Sequence, residues 1–106
     1  MEPSDTNQMK ILKALADPKR LRIIAMLSSK ELCACKLLEA FSITQPTLSH
    51  DMKVLLKAGL VKSRSMGKWK YYSLDNENLS NFYQQLGQLL FPASKTEHPA
   101  SDFQKR

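Results

Sequence analysis

Apolar residues recur at helical spacing over most of the chain and switch to a strand-like pattern in one stretch near its middle. Met9, Leu12 and Leu15, with Ile11 beside them, predict a first helix. Asp17-Pro18 then marks a new start, with Asp as N-cap and Pro in the first turn. That second helix runs to about Ser28, with Leu21, Ile24, Ala25 and Leu27 as its apolar stripe. After the polar Ser28-Ser29-Lys30, the segment Glu31-Leu32-Cys33-Ala34-Cys35 leads into a short helix carrying Leu37, Leu38, Ala40 and Phe41. A Gly-free turn at Ser42-Ile43 opens a fourth helix, capped by Thr44 or Gln45. Its buried face is Leu48, Met52, Leu55 and Leu56, and Gly59 closes it. Leu60 to Leu74 reads as a β-hairpin around Met66-Gly67-Lys68, rich in the aromatics Trp69, Tyr71 and Tyr72. Asp75 to about Leu90 is a last amphipathic helix stopped by Pro92. The expected fold is therefore α+β, mainly α, in the order α-α-α-α-β-β-α, with one domain over 1–91 and a polar, disordered tail over 92–106.

Two helices joined by a tight turn, the second polar and basic on its outer face, match the arrangement that places a helix in the DNA major groove. Charge sharpens this reading. The 106 residues carry a net charge of +6. From Lys53 to Lys70 the charged residues are Lys53, Lys57, Lys62, Arg64, Lys68 and Lys70, with no acid among them. Such a run attracts phosphates whatever their sequence. The segment from Thr44 to Gly59 is thus the expected DNA-reading helix, and the hairpin its wing. No apolar stretch approaches the roughly 20 residues that span a bilayer, and no targeting peptide is recognisable, so a cytoplasmic protein without membrane contact is expected.

Four segments taken together resemble the ArsR/SmtB family of metal-responsive repressors. They are Asp17-Pro18-Lys19-Arg20-Leu21-Arg22-Ile23-Ile24, Glu31-Leu32-Cys33-Ala34-Cys35, Thr44-Gln45-Pro46-Thr47-Leu48-Ser49-His50 and Gly67-Lys68-Trp69-Lys70-Tyr71-Tyr72. The resemblance spans about residues 8 to 90. It implies a winged helix-turn-helix homodimer joined through its first and last helices, bound to an operator in double-stranded DNA and released by an inducer. On the recognition helix it assigns Gln45, Thr47, Ser49, His50 and Lys53 to DNA. Gln45 and His50 suit base edges, Thr47 and Ser49 suit bases or phosphates, and Lys53 suits phosphate. On the wing, Arg64, Lys68 and Lys70 are assigned to the backbone.

Cys33 and Cys35, the chain's two cysteines, resemble the Cys-x-Cys of the arsenic-responsive branch. Thiolates are soft ligands, so the implied inducer is As(III) or Sb(III), with Cd(II) and Pb(II) as further candidates and no organic cofactor. Lys36, Leu37 and Leu38 follow the pair where arsenic sensors often carry a third cysteine. A third ligand would be solvent, a small thiol or a cysteine of the other subunit. The zinc-type site of the last helix is missing, because that helix has no His and His98 lies in the tail. Within a regular helix, residues two apart point about 200° from each other, whereas in an extended segment they share a face. Inducer binding is therefore expected to unwind the start of the third helix.

Two other readings compete. The vicinal thiols could sense oxidants, although a disulfide across one residue is expected to be strained. Alternatively, the winged helix could be a protein-interaction module, against which the uninterrupted basic run argues. Three glycines leave no phosphate-cradling loop, and no nucleophile, base and acid stand at interpretable spacing, so enzymatic activity is not expected.

Overall fold

In the computed structural model, which describes residues 3–92, the chain runs α1 (Pro3–Leu15), α2 (Pro18–Leu27), β1 (Leu32–Cys33), α3 (Ala34–Phe41), α4 (Gln45–Lys57), β2 (Val61–Met66), β3 (Trp69–Leu74) and α5 (Asn76–Leu90). The tail expected to be disordered lies, from residue 93 on, outside the described residues.

Local chemistry sets the element boundaries. The Asp17 carboxylate accepts from the Arg20 backbone N–H at 2.9 Å and caps α2, with Pro18 in the first turn. That hydrogen bond is the main cause holding the Asp17 carboxyl below its ordinary range. Asp75 caps α5 in the same way through the Asn78 N–H at 3.1 Å. At the far end of α4, Gly59 takes φ +77, its N–H donates to the Leu56 carbonyl, and the Leu60 N–H donates to the Leu55 carbonyl. This pair of bonds satisfies carbonyls the helix would otherwise leave open and turns the chain directly into β2. Between α3 and α4 the left-handed position that Gly commonly fills is held by Ser42, at φ 51.

The three strands form one antiparallel sheet in the order β1-β3-β2. The expected element order lacked β1. Two residues are too few to show a period, and their partners Tyr72 and Tyr71 lie far along the chain. Ile23, Leu37, Met52, Leu55 and Leu60 form the fully buried centre, closed by Tyr72 from the sheet and Phe82 from α5.

Two predicted stripes are rotated in the structure. On α1 the inward residues are Gln8, Ile11 and Ala14, while Met9 and Leu12 are 44% and 39% exposed. On α2 they are Ile23 and Leu27, while Leu21 and Ala25 face outward. In both helices apolar residues occupy more than one face, so spacing alone does not identify the face that meets the core. Gln8, buried against α5, donates its amide to Gln85 Oε1 and joins the first helix to the last.

An acid that the sequence pattern did not single out lies at position 51. On α4, Asp51 is 3% exposed. Its Oδ2 lies 2.9 Å from Lys19 Nζ and its Oδ1 3.2 Å from Arg20 Nη1. Arg20 also donates from Nε to the Ala14 carbonyl at 2.7 Å, so one guanidinium binds the end of α1 and the middle of α4. Breaking a buried charge pair by removing one partner costs more than the pair contributes, because the other charge is left without compensation. Lys19 and Arg20 keep partial access to water, which moderates the loss. Asp51→Asn is expected to lower stability by about 1–3 kcal/mol, read as a shift in urea midpoint at unchanged slope. An unchanged midpoint would contradict the anchoring role.

Candidate nucleic-acid interface and thiol pair

The cap of α4 falls on Thr44, whose hydroxyl oxygen accepts from the Thr47 N–H at 3.4 Å and lies 3.0 Å from the Thr47 hydroxyl. Leu48, Met52 and Leu55 are buried below it, and Leu56 is partly buried. At 100° per residue, this places His50 and Lys53 near the centre of the outward face. Thr47 and Ser49 fall on its two flanks, and Gln45 lies nearest the buried side. All five are exposed. Asp51, also on the buried side, keeps its negative charge off the face that carries Lys53 and Lys57.

The wing pairs Val61 with Leu74 through Met66 with Trp69. Gly67, at φ +60, takes the first central position of a two-residue hairpin turn with Lys68 second, as a type II′ turn requires. Alternation then divides the hairpin. Val61, Ser63, Ser65, Lys70, Tyr72 and Leu74 share the face that reaches the core at Val61 and Tyr72. Lys62, Arg64, Met66, Trp69, Tyr71 and Ser73 share the other. Lys68 and Lys70 are exposed at the outer end.

Arg64 is engaged within the protein. Its Nε and Nη2 donate to Oε2 and Oε1 of Glu31, both at 2.7 Å, and its guanidinium sits 5.1 Å from the centroid of the Tyr71 ring. The hydrogen bonds from Arg64 hold the Glu31 carboxyl below the usual carboxylate range, and the same contact raises Arg64. Arg64 thus differs from Lys68 and Lys70: a phosphate would compete with a bidentate carboxylate for it. The signal for this pair is weak in sequence, because Glu31 precedes the unpredicted strand β1.

Cys33 is the second residue of β1 and, with φ −80 and ψ 158, the extended N-cap of α3, while Cys35 stands in that helix's first turn. Their Cα atoms are 5.3 Å apart and the two sulfurs are joined as a disulfide. This separation lies in the range disulfides ordinarily span, so the strain expected across one intervening residue is not imposed by the backbone spacing. With one cysteine extended and the next helical, the two sulfurs meet on one side of this junction. Across the sheet Cys33 stands opposite Tyr71, the residue under the Arg64 guanidinium.

The family model described as "Bacterial regulatory protein, arsR family" matches residues 17–63, from the α2 cap to the start of the wing. A curated relative, the arsenical resistance operon repressor of Staphylococcus xylosus, is 51% identical over 76 residues, covering 72% of this chain and 73% of the relative. Among solved structures, HlyU from Vibrio cholerae superimposes with a TM-score of 0.71 at 29% identity, over 84% of this chain and 97% of HlyU. A homodimeric winged helix-turn-helix DNA-binding domain from Mycobacterium bovis, a possible ArsR-family regulator, gives 0.67 at 25% identity, over 80% of this chain and 79% of that one.

The Glu31–Arg64 pair yields a pH-dependent expectation. Because the carboxyl is lowered on folding, its contribution is complete above its unfolded value and is lost as pH falls through the folded one. Glu31→Gln should therefore lower the urea midpoint slightly at pH 7. The difference from wild type should shrink as the pH falls below the ordinary range of Glu and the folded-state carboxyl takes up its proton. A difference that persists undiminished in acid would show that the ion pair is not its source.

Proposed function

The chain belongs to the arsR family of bacterial regulatory proteins, and we propose that it is a homodimeric repressor released from its operator when Cys33 and Cys35 bind a thiophilic metalloid, arsenite or antimonite first. Its family is one of DNA-binding transcriptional regulators with a winged helix-turn-helix fold. The finer reading rests on one observation: the two sulfurs reach each other at the β1–α3 junction. Two thiolates that can touch can also converge on one soft ion, which hard oxygen-seeking cations would not favour. The chain's two cysteines supply two of the three sulfurs that trivalent arsenic prefers, and an exogenous thiol, solvent or the second subunit completes the set.

The disulfide must first be reduced to two thiols by two equivalents of a small thiol, which leave joined as their own disulfide. Cys33 is half-buried and Cys35 exposed, so reductant and ion can reach the pair from solvent. Holding both sulfurs on one atom fixes the junction between β1 and α3. From there α3 leads through the Ser42–Ile43 turn into α4, whose Gln45, Thr47, Ser49, His50 and Lys53 are the proposed DNA contacts. On the wing, Lys68 and Lys70 are proposed to grip phosphates, and Arg64 joins them by giving up its contact with Glu31. Exposed apolar residues on α1 and α5, Met9, Leu12, Tyr83, Leu89 and Leu90, support dimerisation through the first and last helices, since unmatched apolar surface of this kind marks an interface.

The disulfide itself favours a second reading, in which oxidation of the same pair is the signal. The two are separated by mobility shift of a palindromic promoter duplex by the reduced protein. Arsenite or antimonite should release the wild type, while Cys33→Ser and Cys35→Ser should stay bound. If zinc, cadmium, lead, arsenite and antimonite all leave wild type and variants equally bound, the metalloid reading fails. Release by peroxide alone, with loss of titratable thiols, would favour oxidation.

The wing assignment has its own test. Lys68→Ala and Lys70→Ala should each weaken binding to every duplex and reduce the salt slope of log affinity by about one. An unchanged slope would remove these lysines from the interface.

A further inference from the structure

Two large apolar side chains stand in solvent at the tip of the wing. Met66 is 53% and Trp69 51% exposed, and they are register partners on the last rung before the turn. They lie on the face of the hairpin opposite the one that reaches the core, so burial does not account for them. The turn beyond them is the short type II′ turn at Gly67 and Lys68, which fixes their separation and direction.

The surroundings identify what would cover them. Lys68 Nζ lies 5.9 Å from the centroid of the Trp69 ring. Lys70 follows on the same strand, Lys62 and Arg64 share their face, and the charged residues from Lys53 to Lys70 are all cationic. An apolar pair set among lysines, on a face where Glu31 is already matched by Arg64, is a poor site for an apolar partner, whose approach would desolvate the lysines without pairing them. It suits a polyanion that offers apolar surface between its charges. Duplex DNA does so in the minor groove, where deoxyribose walls and base edges lie between two rows of phosphates and apolar side chains commonly wedge.

We propose that Met66 and Trp69 are a DNA contact: they pack against the minor-groove walls beside the segment read by α4, while Lys68 and Lys70 hold the flanking phosphates. The inference rests on the DNA-binding reading above and adds to it an apolar anchor that does not depend on counterion release. Its energetic signature therefore differs from that of the lysines.

The chain has one tryptophan, so intrinsic indole emission reports the wing tip alone. The probe is a duplex of about 30 base pairs, long enough for two half-sites, selected by the full-length protein from a random library and labelled at one end. Emission from Trp69 should change on titration and saturate together with the anisotropy of the label. Trp69→Ala should weaken binding about five- to a hundredfold with the salt slope unchanged, Trp69→Phe should retain most of the affinity, and Met66→Ala should show a smaller loss. Duplex binding with unchanged Trp69 emission and wild-type affinity in Trp69→Ala would overturn the inference while leaving the DNA reading intact. Loss of self-association in Trp69→Ala at unchanged duplex affinity would overturn it in favour of a protein interface. Failure of the wild type to select or bind any duplex would overturn both.

Discussion

The position of α4, the proposed DNA-reading helix, depends on one buried carboxylate. Apolar contacts hold α4 against the core through Leu48, Met52 and Leu55, but such contacts are non-directional and would tolerate some rotation of the helix about its axis. Asp51 limits that rotation. It stands on the same buried side, ion-paired with Lys19 and accepting a hydrogen bond from Arg20 of α2, and that hydrogen bond has a preferred length and angle. Arg20 also holds the Ala14 carbonyl at the end of α1, while its backbone N–H holds the cap of its own helix. One side chain and its backbone thus fix three helices, and the outward direction of Ser49, His50 and Lys53 follows.

The amphipathic pattern by itself distinguishes the outward from the inward face of α4. Gly59 and Gly67 mark two points where the backbone needs positive φ, and both adopt it. Asp51 was also within reach of the sequence, since an acid three residues after Leu48 and four before Leu55 stands on the apolar face of the helix. Its partners were not, because no local rule links position 51 to positions 19 and 20. β1 was hidden for a similar reason: two residues gain their identity from a ladder with β3, and long-range pairing leaves no period in so short a run. On α1 and α2 the pattern misled. Met9, Leu12 and Leu21 repeat at helical spacing as well as the core residues do, and surface that stays apolar in one protomer cannot be told from core by spacing alone.

The unpredicted strand changes how the thiol pair relates to the rest of the molecule. From sequence, the cysteines had one neighbour of interest, the recognition helix reached through α3. In the structure they also adjoin the wing. Cys33 faces Tyr71 across the β1–β3 ladder, Tyr71 lies under the Arg64 guanidinium, and Arg64 is held by Glu31, two residues before Cys33. The basic run from Lys53 to Lys70 is accordingly not uniform in its chemistry. Lys68 and Lys70 face solvent at the outer end of the hairpin, whereas Arg64 is committed to a carboxylate that immediately precedes the strand carrying the thiol. Residues of one charge in one stretch of sequence are divided by the fold into those that meet a ligand unhindered and one that must first give up an internal partner. The internal partner stands beside the proposed sensor. A shift of the β1–α3 junction would therefore act on both elements proposed to meet DNA through contacts already made: on α4 through the turn at Ser42, and on the wing through the carboxylate that holds Arg64.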